Sequence, residues 1–237
     1  MENWLIRSEL LLGKDTLEVF KSKRVAVVGL GGVGAYAAEM LARAGIGAIL
    51  IIDSDIINPS NKNRQLLALE STVGMAKTDV MARRLIDINP QIELKVINEF
   101  ITEENIAELL AGERLDYIVD AIDTLSPKIA LIKYALDTAV PVVSSMGAGA
   151  KLDATKIRIT DISKSFNCPL AYMLRKRLRK EGISKGFKVV FSEELPDGNA
   201  ILAVEEQNKK SIVGTISYLP AVFGAVCAQV VIRHFVG

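Results

Sequence analysis

Eight residues near the start of the chain, Val27 to Gly34 (VVGLGGVG), place glycines in the G-x-G-x-x-G spacing. Between a strand and a helix, that spacing suits the phosphates of a nucleotide. Gly29 allows the tight turn. Gly31, with Gly32 beside it, lets the backbone approach a phosphate, and Gly34 lets the helix sit against the sheet. The helix then turns its free N–H groups and positive dipole end on the anion. Asp53, at the end of the next apolar run, is placed to accept a hydrogen bond from a ribose hydroxyl. Loop and acid together serve NAD and ATP equally well.

The residues that follow separate the two. The stretch DSDIINPSNKNRQ adds Asp55, Asn61, Asn63, Arg64 and Gln65 directly after Asp53, and Lys77 follows near the start of the next helix. A dehydrogenase needs no cation there unless it binds a 2′-phosphate, whereas a triphosphate does. Asp120 and Asp123 stand at the tip of a later strand, in DAID. A carboxylate beside phosphates repels them unless Mg²⁺ lies between, so Asp123 reads as a metal-side acid. Taken singly, each residue could be a solvated charge or a helix cap. All of them fall at the carboxyl ends of strands, where open α/β sheets bind their ligands.

Holding them there requires an alternation of elements. Residues 24–30 read as a buried strand and 32–45 as a small-residue helix packed close to it. Residues 48–53 form a second strand, 74–89 an amphipathic helix halted by Pro90, and 92–98 a third strand. A helix over 102–112, opened by Thr102 and closed at Gly112, leads to a fourth strand at 116–122. Then come a helix over 126–139, with Ser126 as N-cap and Pro127 at the first helical position, and a fifth strand at 140–149. This rhythm predicts an α/β fold: a doubly wound, Rossmann-like, mainly parallel sheet. Beyond residue 150 the rhythm changes, with a strand at 155–162, a basic helix capped by Asn167 and started by Pro169, and a strand at 187–194. The expectation is one continuous domain, 1–237, with a nucleotide-binding half (1–150) and a divergent half (151–237) for substrate and dimer contacts.

Composition narrows the class. Half of the 237 residues are hydrophobic and the mean hydropathy is +0.28, which leaves apolar surface to spare for a partner subunit. The formal charge of +1 is silent about nucleic acid. Cys168 and Cys227 form no C-x-x-C pair, which predicts a reducing compartment, the cytoplasm, and no thiolate zinc site. The N-terminal MENWLIRSELLLGK mixes acids and bases and reads as no secretion signal. Residues 212–232 carry no charge, yet Gly214, Thr215, Ser217, Pro220, Gly224 and Gln229 interrupt them. A buried strand running into a buried or interface helix from Pro220 is the reading, with peripheral membrane contact as the lesser alternative.

In order, Gly29–Gly34, Asp53, SNKNRQ (60–65), Lys77 and DAID (120–123) resemble the ThiF-type adenylating family, which includes the molybdopterin- and thiamine-pathway activators and the ubiquitin-activating enzymes. The likeness runs over residues 3–150. It implies that MgATP converts a carboxylate into an acyl adenylate, with Asp53 on the ribose, Arg64 and Lys77 on the phosphates, and Asp123 on Mg²⁺. It also implies a homodimer in which Arg7 reaches the neighbour's site. The family's sulfur-carrier branch brings in a cysteine desulfurase or another sulfur-acceptor system as a partner, but its two zinc-binding C-x-x-C pairs are absent. The ubiquitin-type branch needs an acceptor cysteine, and Cys168 reads instead as a small buried residue near a helix start. Residues 144–164, 169–183 and 189–196 are similar to the branch that acts on tRNA. That branch activates the threonyl carboxylate on a modified adenosine beside the anticodon and closes it into a ring with loss of water.

The charge map points the same way. Eight of the 29 basic residues and one of the 28 acidic residues lie between Lys164 and Lys188, so the remainder of the chain is net acidic. On a helical projection Leu170, Met173, Leu174 and Leu178 form an apolar face, Arg175, Lys176, Arg179 and Lys180 point away, and Arg177 falls in the apolar arc. A solvated basic face is common, but like charges without acidic partners repel one another, and an RNA backbone relieves that. The expected function is therefore ATP-dependent cyclisation of a tRNA carboxylate. Activation of a small sulfur-carrier protein is the runner-up. An NAD-dependent oxidoreductase leaves Arg64, Lys77 and Asp123 idle, and a non-catalytic nucleotide- and RNA-binding adaptor needs no full set of phosphate cations. His234 reads as structural.

Overall fold

Val25, Ala26, Val27 and Val28 are buried on both sides, as a strand inside a parallel sheet must be. They belong to β1 (Arg24–Val28). The computed structural model describes residues 4–206 and 209–237. Two short helices, α1 (Ile6–Leu12) and α2 (Lys14–Ser22), precede β1. After it come α3 (Gly34–Ala44), β2 (Ala48–Ile52), α4 (Lys77–Ile88), β3 (Glu93–Ile97), α5 (Ile106–Leu109), β4 (Tyr117–Asp120), α6 (Leu125–Asp137) and β5 (Val142–Ser145). The second half adds β6 (Ile157–Asp161), α7 (Pro169–Lys180), β7 (Lys188–Ser192), β8 (Ile201–Glu206), β9 (Lys209–Val213) and α8 (Tyr218–Val236).

Seven strands form one sheet in the order β3-β2-β1-β4-β5-β7-β6. All neighbours run parallel except β6, which is antiparallel to β7. The chain winds outward from β1 to β3, then returns to the other side of β1 as β4. The order therefore reverses between β1 and β4, which opens a crevice at their carboxyl ends. Side chains alternate across the sheet. Val25, Val27, Ile49, Ile51, Tyr117 and Val119 face a layer built from α2, α3, α4 and α8. Ala26, Val28, Leu50, Ile52 and Ile118 face α5, α6 and α7.

Several boundaries differ from the sequence expectation. Helix α6 starts at Leu125, so Ser126 and Pro127 are its second and third residues. Proline is tolerated there because the first turn's N–H groups have no intrahelical acceptor. The expected 102–112 helix shrinks to α5, because Asn105 and Thr102 exchange side-chain-to-backbone bonds that hold the chain in a turn. Cys168 rather than Asn167 is the residue before α7, and Asn167 takes a positive φ of 49°. Helix α8 already starts at Tyr218, with Pro220 inside its first turn.

The expected buried strand before α8 is also corrected. Ile212 and Val213 are exposed and belong to a hairpin of β8 and β9, outside the main sheet. Helix α8 is long and apolar enough to cross a membrane, but its Leu219, Phe223, Cys227 and Val231 lie in the core. Gly224 lets it approach α3 closely: a β-carbon there would stand 2.4 Å from the Val33 carbonyl oxygen. His234 meets the Tyr117 ring edge-on at 5.0 Å, a packing role.

Candidate functional site

Gly29 leaves β1 with φ 88°, and its N–H donates to the Ile52 carbonyl at 2.8 Å. A β-carbon on Gly29 would lie 2.8 Å from the Ala121 carbonyl oxygen, and one on Gly34 would lie 1.7 Å from the Gly29 carbonyl oxygen. Both glycines are thus imposed by backbone crowding where β1, α3 and the β4–α6 loop meet. Gly31 is different, since only the Gln65 amide nitrogen comes within 4 Å of its would-be β-carbon. That open approach is what a phosphate needs.

Asp53 is held from two sides. One carboxylate oxygen accepts the Leu30 N–H at 2.6 Å, inside the glycine loop, and the other accepts the Asp55 N–H at 2.8 Å. Lys77, the first residue of α4, is buried; its Nζ lies 2.6 Å from an Asp55 carboxylate oxygen and 3.9 Å from Asp53. Burial raises the Asp53 carboxyl above its ordinary pKa, against the pull of Lys77 and the two backbone donors. A cation is therefore stored beside the loop, on an acid of the same chain.

The segment from Asn61 to Gln65 closes the other flank. Asn61 accepts the Asn58 N–H at 3.0 Å and starts the turn. The Arg64 carbonyl stands 3.5 Å from a would-be β-carbon on Gly32. Its guanidinium donates to Asn63 at 2.7 Å and to the Ser60 carbonyl at 3.1 Å. Asn63 in turn donates to the Thr215 carbonyl at 2.9 Å, tying this segment to the chain just before α8. The Gln65 amide oxygen is buried with no hydrogen-bond partner among the described residues. The amide nitrogen of the same side chain is the atom nearest Gly31.

Asp123 sits two residues beyond Ala121, exposed, and in no ion pair among the described residues. No cluster of three metal-ligating side chains occurs among the described residues. A Mg²⁺ that rides on a nucleotide needs only one or two carboxylates, because phosphates complete its shell. Arg7 is not brought to this crevice. Leu5 packs on Gly45 at the far end of α3, about 16 Å of helix away from Gly34.

Two buried lysines escaped sequence reasoning. Lys128 is fully buried, 2.8 Å from the Asp120 carboxylate, and also donates to the Ile122 carbonyl at 2.8 Å. Asp120 further accepts the Ser144 hydroxyl at 2.6 Å and the Ile122 N–H at 3.1 Å. The same device therefore occurs twice: an acid at a strand end, and a lysine in the first turn of a following helix. The signal was a lysine in the first turn of a helix, directly before the apolar run IALI. Lys151 is the second; its ammonium donates to the Ser192 carbonyl at 3.1 Å, and burial lowers its pKa. Nothing in its surroundings in the sequence marks it.

Helix α7 is built on another plan. Ala171, Leu174 and Leu178 are its buried residues. Met173 and Arg177 are exposed, so the apolar arc is narrower than the projection suggested. Arg175, Lys176 and Arg179 share one face with Tyr172, whereas Arg177 lies on the far side of the helix and Lys180 beyond the stripe. Arg175 reaches the Ser165 hydroxyl. None of these five cations is in an ion pair among the described residues.

A doubly wound sheet with a glycine-loop crevice at β1/β4, flanked by Arg64 and Lys77, is the frame of a nucleotide-binding protein. The ThiF family model matches residues 5–237, and the chain belongs to that family. It is 47% identical over 206 residues to the tRNA threonylcarbamoyladenosine dehydratase of Bacillus subtilis, covering 87% of this chain and 79% of that one. The Escherichia coli tRNA N6-threonylcarbamoyladenosine dehydratase in complex with ATP superposes with a TM-score of 0.89 at 37% identity, covering 99% of this chain and 96% of that one. Its complex with AMP gives 0.88 at the same identity and coverage.

Proposed function

We propose that this protein is an ATP-dependent tRNA threonylcarbamoyladenosine dehydratase, acting as a cytoplasmic homodimer. The observation that carries the reading is likeness to such enzymes over almost the whole chain, ATP- and AMP-bound forms included. The sulfur-carrier alternative is less favoured, because the molybdopterin-synthase adenylyltransferases match only 65% and 57% of this chain. Residues 1–150 and 151–237 act as one domain, the first half on nucleotide, the second on substrate and dimer contacts.

In this reading ATP lies across the glycine loop, with Gly31 against the phosphates and Gly29, Gly32 and Gly34 shaping the loop that holds them. Asp53 accepts from the ribose, and Asn61 and Gln65 complete the pocket. Lys77 exchanges Asp55 for phosphate oxygens, and Arg64 closes on them from the opposite flank. Asp123 holds Mg²⁺, which neutralises phosphate charge when bound. The threonyl carboxylate attacks the α-phosphorus and pyrophosphate leaves. An intramolecular group then attacks the acyl carbon, and AMP departs. The chain's part is positioning and charge stabilisation, and the proton of the attacking group passes to water or to the departing AMP.

Arg7 completes the neighbour's site. Around it α1 exposes Ile6, Leu10 and Leu11, the last two 82% accessible, with Trp4 exposed just before it, an apolar surface suited to a second copy. Mixing Arg7→Ala with Arg64→Ala subunits should restore activity to the heterodimer site that regains both arginines. A mixture no more active than its parents, with exchange confirmed, removes Arg7 from the site. The function itself is tested with ATP, Mg²⁺ and tRNA carrying or lacking the threonylcarbamoyl group, followed by nucleoside mass analysis. The expected product is lighter by one water and forms only from the modified tRNA.

A further inference from the structure

Tyr172 is the one residue of the α7 stripe that a phosphate does not explain. Its side chain is 59% exposed, and its hydroxyl has no hydrogen-bond partner among the described residues. Arg175, Lys176 and Arg179 follow it at i+3, i+4 and i+7, so the ring stands inside the cationic face. Together the four line a recess of about 310 Å³. Arg175 donates to the buried Ser165 hydroxyl, and Leu174 and Leu178 anchor the helix beneath.

An exposed aromatic among unpaired cations matches the two demands of single-stranded nucleic acid. The bases need a flat apolar surface, and the backbone needs positive charge within one nucleotide of it. A duplex cannot use such a ring, because its bases are already stacked. Guanidinium groups beside the ring extend the platform by cation–π contact.

We propose that Tyr172 is a stacking platform for one unpaired nucleobase of the RNA substrate, with Arg175, Lys176 and Arg179 on the phosphates beside it. The inference rests on the tRNA reading above and names which part of the tRNA α7 meets: a single-stranded loop, not a stem.

The test compares Tyr172→Ala and Tyr172→Phe with the wild type, each checked for an unchanged melting temperature. Affinity for modified tRNA is measured across a salt series, and a 2-aminopurine placed in the anticodon loop reports stacking. Tyr172→Ala should weaken binding by about 5- to 150-fold and abolish the 2-aminopurine quench. Its log-affinity against log-salt slope should stay that of the wild type, because no charge is lost. Tyr172→Phe should keep both affinity and quench. Unchanged affinity in Tyr172→Ala, an equal loss on a fully paired RNA, or displacement of tRNA by anionic lipid vesicles that bind the same face would overturn the proposal. If the wild type cyclises tRNA while Tyr172→Ala behaves identically, only this inference fails. If the wild type neither binds nor cyclises tRNA, the functional reading fails instead.

Discussion

The crevice at β1/β4 and the outer face of α7 both carry cations, and they treat them in opposite ways. In the crevice Lys77 rests on Asp55 and Lys128 on Asp120. On α7 no cation has an acidic partner among the described residues. A small ligand that comes and goes requires a pocket that stands without it, so buried charge there must be compensated internally. A long polyanion brings its own compensation, and cations at the surface stay hydrated until it arrives. Charge pairing thus marks the buried lysines of the crevice, whereas the half-buried Arg64 and the α7 cations have no acidic partner among the described residues.

The sharpest way to break this comparison is to leave a buried charge alone. Lys128→Met strands Asp120 with no cation, and breaking a buried pair from one side costs about 3–5 kcal/mol. Chemical denaturation should show that loss, while Lys128→Met with Asp120→Leu should recover much of it. A loss under about 1 kcal/mol would mean the pair is not the anchor of the β4–α6 loop.

Next comes Arg64→Ala, which should lower kcat/KM by about 1.5–3 kcal/mol, roughly 10- to 150-fold, with the fold intact. Lys should replace it poorly if the contact is a bidentate fork. Wild-type rates in the purified variant would take Arg64 out of the site.

The α7 arm predicts a different signature. Replacing Arg175, Lys176 and Arg179 with Gln should reduce the slope of log affinity for tRNA against log salt by roughly two to three units. Lys176 and Arg179 are exposed and should leave stability within about 0.5 kcal/mol, and any larger loss traces to the bond from Arg175 to Ser165. An unchanged slope would make the stripe a solvated face only.

The smallest effect concerns pH. Glu39 is buried between Arg43 and Arg84, at 2.8 Å from Arg43 and 2.5 Å from Arg84. Burial works to raise its pKa, but the bonds from Arg84 and Arg43 prevail and lower it. A depressed folded-state pKa means stability that is present above the unfolded carboxylate value and lost as pH falls through the folded one. Glu39→Gln should therefore be less stable than wild type at neutral pH, and the two should converge in acid. A difference that persists unchanged at low pH would assign it to packing instead.

Much of the crevice was legible before folding. The spacing of Gly29, Gly31 and Gly34, the acid at Asp53, and the order of Arg64, Lys77 and Asp123 are local patterns, each fixed by what a neighbouring turn or helix start requires. Strand alternation likewise follows from burial on both faces of a parallel sheet, which writes itself as unbroken apolar runs such as AILII. Chain winding settled what local pattern could not. Whether Lys128 meets Asp120 depends on the path from β4 into α6, and whether Gln65 faces Gly31 depends on the turn between β2 and α4. The exposure of Ile212 and Val213 depends on pairing with β8 rather than joining the main sheet, a choice apolarity cannot encode. Which side of α7 is buried depends on where α6 and the sheet lie, so Met173 and Arg177, expected in the apolar arc, are exposed instead. Composition and spacing act through neighbours in the chain, whereas charge pairing and burial act through neighbours in space, and only packing supplies those.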